Sequence, residues 1–154
     1  MEKRSWLVYV GTYLAWAVVV ALGFWLLILS RQVFLQVAAR YVGDDIVRGW
    51  QVRFYDKVFF IVVALFVLAL FTLTEAYLRQ GIKRRNVVQR FAKIASVELL
   101  LLFVLDVVLM LLHGFGVSGW SRWLILMAEL ALGVLFYLIG RAALRAKLKP
   151  NESD

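Results

Sequence analysis

Apolar residues lie along this chain in four long stretches, separated by shorter segments that carry most of the charge. The stretches cover residues 7–29, 58–78, 94–113 and 121–140. A spanning helix needs about 20 apolar residues to cross roughly 30 Å of hydrocarbon, and each stretch meets that length. The pattern therefore predicts an all-α membrane protein, with residues 1–154 forming a single membrane domain of four transmembrane helices.

The connections between the stretches predict how the helices are arranged. Short connections favour antiparallel neighbours, so we expect an up-down-up-down bundle. Between residues 31 and 42, Gln32, Gln36 and Arg40 recur every four positions, which is helical amphipathicity. This segment predicts either a continuation of the first helix or, as we expect, a short amphipathic helix in the first outer loop, ended by residues 43–45.

Composition narrows the class of protein further. Hydrophobic residues make up 64% of the chain, mean hydropathy is +0.83, and there is no cysteine. These values leave no room for a separate soluble domain, and the lack of cysteine excludes disulfides and thiolate metal sites. No catalytic constellation is visible, since the serines have no base with an orienting partner. We expect a protein that is not an enzyme.

The net charge of +8 is better explained by the orientation of the chain in a membrane than by binding to nucleic acid. Most of the 18 Lys and Arg residues lie in the N-terminal tail, in residues 79–93 and in the basic tail 141–154. Basic residues in short loops mark the cytoplasmic side, so both termini are predicted to be cytoplasmic. The second connection should contact anionic headgroups. Its predicted lipid-contacting residues are Lys83, Arg84, Arg85, Arg90 and Lys93.

Two acidic residues within the apolar stretches are the main candidate site. Asp106 and Glu129 are symmetric about residues 117–118, so a helical hairpin would place them level, about 10 to 12 Å below the outer interface. Ionisable groups at such depth are costly and usually face protein or water. The pair is predicted to approach within the bundle, either as a proton or cation site or as a polar contact between helices or subunits.

A second level of acids is predicted nearer the cytoplasmic side. Glu75 and Glu98 are equidistant from the basic connection, and Glu75 can pair with Arg79 one turn on. Glu98 could be satisfied by Lys93, Arg90 or Tyr137. On the third helix Glu98, Asp106 and His113 also fall within an arc of roughly 80°, which predicts one polar stripe.

His113 is the only histidine and the only candidate ligand for a cofactor. A single imidazole could ligate a haem or a chlorophyll-type pigment, although haem bundles usually supply a second strong ligand. A C-capping role beside Gly114 is the commoner outcome. We therefore predict no metal site and, in the main, no cofactor.

Function is predicted only at the level of class. The leading hypothesis is a small accessory or assembly subunit of a larger membrane complex, or a homo-oligomer. The alternatives are a proton- or cation-coupled transporter or channel that uses Asp106 and Glu129, and pigment or haem binding through His113.

Overall fold

Four long α-helices make up the fold. The computed structural model describes residues 2–42, 46–83, 86–113 and 120–148. The helices are α1 (Glu2–Val42), α2 (Ile46–Lys83), α3 (Val87–His113) and α4 (Trp120–Leu148). They form an all-α bundle, and each is long and apolar enough to cross a membrane. The four predicted apolar helices are thus confirmed, one in each element.

The first two helices are much longer than a bilayer requires. α1 has 41 residues and α2 has 38, which corresponds to about 60 Å each at 1.5 Å per residue. The short amphipathic helix predicted for the first loop is not a separate element, because residues 31–42 continue α1. This stretch contains neither glycine nor proline, so nothing interrupts the helical hydrogen bonds. Residues 43–45, predicted to end that helix, lie outside the described residues.

A hydrogen bond near the C-terminal end of α1 connects the extended part of this helix to α3. The Arg40 guanidinium donates a hydrogen bond to the backbone carbonyl of Leu112, near the C-terminal end of α3. The last four carbonyls of a helix have no partner within the helix, and a cation there also complements the helix dipole. Arg40 therefore joins the far end of α1 to α3.

The helices are arranged with α1 and α3 in the middle. α2 lies beside α1 and approaches α3 less extensively, while α4 lies beside α3. Within the described residues, no Cα atom of α4 comes within 8 Å of α1 or α2. The buried core follows this arrangement, with Leu29 of α1 packed among Leu99, Leu102 and Leu109 of α3. α2 and α4 consequently form the two edges of the bundle.

Aromatic side chains join α1 to α2. The rings of Phe34 and Phe59 stack with centroids 4.8 Å apart, and those of Phe24 and Phe71 lie 5.4 Å apart. The two pairs occur in opposite order along the two helices. The Phe71 ring also packs directly against Gly23 of α1, where an added Cβ would lie 2.5 Å from the ring. Only glycine permits this approach without displacing Phe71.

A buried glycine also permits the close connection between α2 and α3. The Asn86 amide donates to the carbonyl of Gly81 at 3.0 Å. A Cβ on Gly81 would lie 3.2 Å from the Cα of Val87, which is tighter than ordinary van der Waals contact. The absence of a side chain at Gly81 therefore lets the start of α3 pack directly against the end of α2.

The contact between α3 and α4 combines close packing with one buried hydrogen bond. The hydroxyl of Ser96 donates to the backbone carbonyl of Gly133 at 3.0 Å. A Cβ on Gly133 would meet the Leu100 side chain at 3.3 Å. Small residues of this kind allow two membrane helices to approach closely and to share polar contacts.

Candidate functional site: carboxyl groups within the helices

Asp106 of α3 and Glu129 of α4 face each other across the helix contact. Their carboxyl groups lie within hydrogen-bonding range of one another. Glu129 is buried, with 8% of its surface exposed, and Asp106 is half-buried. In the described part of the chain, Oε2 of Glu129 is buried and makes no hydrogen bond. The structure thus brings together the two acids that the sequence placed at equal depth.

Arg122 is a further member of this cluster that sequence reasoning missed. It lies close enough to Asp106 to interact with it electrostatically. The sequence does contain a signal for this position. Arg122 precedes Glu129 by seven residues, which is two helical turns, so both lie on the same face of α4. The cluster therefore holds two carboxyl groups and one guanidinium.

This arrangement limits the ions that the cluster can hold. Two carboxyl groups in a poorly solvated site cannot both ionise cheaply, so they share a proton or are balanced by a cation. Arg122 attracts the carboxyl group of Asp106 electrostatically. Among the described residues, no group of three or more His, Cys, Asp and Glu side chains gathers to ligate a metal. A carboxyl pair of this kind is chemically able to exchange a proton or a monovalent cation.

The lower pair of acids has two different environments. Glu75 forms an ion pair with Arg79 at 2.8 Å, as its spacing predicted. Arg79 also donates to the hydroxyl of Tyr13 at 2.6 Å, so Glu75 belongs to a contact between α2 and α1. Glu98 instead lines a cavity between α2 and α3. Within the described residues its buried Oε2 accepts no hydrogen bond.

One predicted lipid contact needs correction. Arg90 is buried, with 6% of its surface exposed, and its guanidinium donates to the backbone carbonyl of Tyr77 and, at 3.5 Å, to Oε1 of Gln80. The guanidinium also lies 4.3 Å from the centre of the Tyr77 ring. It is held inside because a stacked, hydrogen-bonded arginine satisfies its charge within the protein. Lys93, in contrast, is exposed.

Four other residues of the predicted sites lie wholly or partly outside the described residues. The side chain of Lys83, and Arg84 and Arg85 entirely, lie outside the described residues. His113, the candidate cofactor ligand, is the last residue of α3, and its side chain also lies outside them. Contact with lipid and cofactor ligation stay predictions at these positions.

No family model, curated protein or solved structure matches this chain. The residues and their geometry therefore carry the functional proposal.

Proposed function

We propose that this chain is a small, non-enzymatic multi-pass membrane protein that acts by associating with other membrane-spanning chains, either a larger complex or its own copies. The observation that carries this proposal is the open arrangement of the helices. None of the most apolar 18-residue stretch of α2 is buried, and α4 packs only on α3 within the described residues. Both edges therefore offer long apolar surfaces to neighbours.

The proposal includes an orientation in the membrane. The opposite order of the contacts along α1 and α2 supports an up-down-up-down path, and the basic residues of the second connection and of the C-terminal tail support cytoplasmic termini. On that path the exposed Lys93 lies at the cytoplasmic side, where it can contact anionic headgroups.

Purification from native membranes in a mild detergent or a lipid-retaining polymer tests the association. We expect a particle heavier than the 17.7 kDa chain, either a defined multiple or a complex with a constant partner. Because the chain has no cysteine, single cysteines at Leu65 on α2 and Leu135 on α4 would form interchain disulfides if these edges meet. The buried position Leu102 is the control. A monodisperse monomer without partners or crosslinks would contradict the proposal.

A second candidate function is favoured by the cluster of Asp106, Glu129 and Arg122. We propose as the alternative that the chain carries protons or a monovalent cation, with the carboxyl pair as the exchange site in an oligomer. Buried acids between helices are typical of such relays. Within the described residues α4 comes close only to α3, so several chains together would have to surround a path for the ion.

Flux measurements in proteoliposomes test this alternative. Asp106→Asn and Glu129→Gln should each abolish flux driven by a pH gradient while the protein remains folded. Glu75→Gln is the matched control, because it removes an intrahelical carboxyl group that is already paired with Arg79. Unchanged flux in the double variant would exclude the alternative.

A further inference from the structure

A cavity of about 430 Å³ lies between α2 and α3, with α1 behind it. Gly23 and Leu26 contribute from α1, and the exposed residues Val97 and Leu101 of α3 lie at its rim. The cavity therefore opens on the side of the bundle, where a bilayer would surround it. Its volume is within the range of sites that hold small molecules.

Among the described residues that line the cavity, Glu98 is the one acidic residue. One of its carboxyl oxygens is buried without a hydrogen bond in the described part of the chain. Neither basic residue predicted to satisfy Glu98 bonds to its buried oxygen in the described part of the chain. Arg90 is bound to Tyr77, and Lys93 lines the same cavity without bonding to Oε2 of Glu98. A buried carboxyl oxygen without a partner is costly, so a ligand that supplies a donor would stabilise it.

The remaining lining shows which kind of donor fits. Phe71 and Tyr77 line the cavity, and Arg90 lies over one face of the Tyr77 ring, so the Phe71 ring and the other face of Tyr77 are the aromatic surfaces left for a ligand. Apart from Thr74 and Lys93, most of the other lining residues are aliphatic. Aromatic rings together with a carboxyl group are the combination that binds ammonium groups, through cation–π attraction and a charge-assisted hydrogen bond. The aliphatic walls suit a hydrocarbon body.

We infer that this cavity binds a protonated amine carried on an apolar body, which enters from the bilayer and places its ammonium group against the carboxyl group of Glu98. The site differs from the cluster of Asp106 and Glu129, which lies between α3 and α4. The inference goes beyond the proposed association, because it assigns a ligand to one chain. Because the positively charged Lys93 also lines the cavity, a second cation on the ligand would be unfavourable, so the ligand carries one amine.

Photocrosslinking in nanodiscs tests the inference. A twelve-carbon primary amine with a diazirine on its chain would be added to the full chain, and the labelled residues mapped by mass spectrometry. Dodecylamine, dodecanol and dodecanoate compete at equal mole fraction in the lipid. We expect labels on the α2 and α3 residues that line the cavity, and competition by dodecylamine about tenfold stronger than by dodecanol, as one charge-assisted hydrogen bond implies.

Variants separate the carboxyl group from the general affinity of amines for membranes. Glu98→Gln should reduce labelling of the cavity about tenfold, while Glu75→Gln, whose residue does not line the cavity, should leave it unchanged. Leu101→Trp, which fills the rim but keeps Glu98, should also reduce it. Equal competition by dodecanol or dodecanoate, labels outside the cavity, or full labelling of Glu98→Gln would overturn the inference. If Glu98→Gln does not fold, the competition on the unaltered chain decides.

Discussion

The guanidinium of Arg90 lies over the ring of Tyr77 and donates a hydrogen bond to the backbone carbonyl of the same residue. One side chain of α3 thereby binds both the backbone and the side chain of α2, just after the connection between the two helices. Because Arg90 is buried, these contacts are shielded from water and hold the α2–α3 connection together.

Replacing Arg90 should destabilise the fold clearly. We expect Arg90→Ala to lower the free energy of unfolding by about 2 to 3 kcal/mol, since it removes a cation–π contact and hydrogen bonds made by a charged donor. Arg90→Lys should lie in between, because an ammonium cannot stack as a planar guanidinium does. Unfolding in mixed micelles measures both. The exposed Lys93→Ala is the control and should change stability by less than about 0.5 kcal/mol.

The two glycines of α1 offer a matched test of helix packing. Gly23→Ala places a Cβ against the Phe71 ring, so we expect a loss of about 1 to 3 kcal/mol in unfolding free energy. Gly11 has no atom within 4 Å of an added Cβ. Gly11→Ala should therefore be neutral or stabilise by up to about 1 kcal/mol through helix propensity. Equal effects of the two substitutions would contradict the close approach at Gly23.

Two serines separate a contact between helices from one within a helix. The Ser96 hydroxyl bonds to Gly133 of α4, whereas Ser30 bonds to the carbonyl of Leu27 in its own helix. Ser96→Ala should cost about 0.6 kcal/mol, the typical value for a polar contact between membrane helices. Ser30→Ala should cost less, because no contact between helices is lost. The result that both variants unfold alike would count against the Ser96 contact.

Cysteine labelling tests the proposed orientation. Trp50→Cys lies in the first connection of the predicted topology and Gln80→Cys at the start of the second, and both residues are exposed. A membrane-impermeant maleimide should label Trp50→Cys in intact cells and Gln80→Cys only after permeabilisation. The unaltered chain has no cysteine and serves as the background. The reverse pattern would place the termini outside.

Local rules predicted two contacts correctly. The Glu75–Arg79 ion pair depends only on their spacing of four residues within one helix. The approach of Asp106 and Glu129 follows from their equal distance in sequence from residues 117–118. The end of α1 was predicted less well, because amphipathicity in residues 31–42 fits both a continued helix and a separate one.

The sequence by itself determined that four apolar helices form, because hydrophobic length and the absence of helix breakers are local properties. Only the tertiary structure decided how the polar groups of α3 are shared. α3 lies between neighbours, so the predicted stripe divides, with Asp106 directed to α4 and Glu98 lining the cavity beside α2. Arg122 and Arg90 likewise acquired their partners through helix packing. Which helices become neighbours depends on how side chains fit together across the whole bundle. The periodicity of residues along one helix does not predict those neighbours.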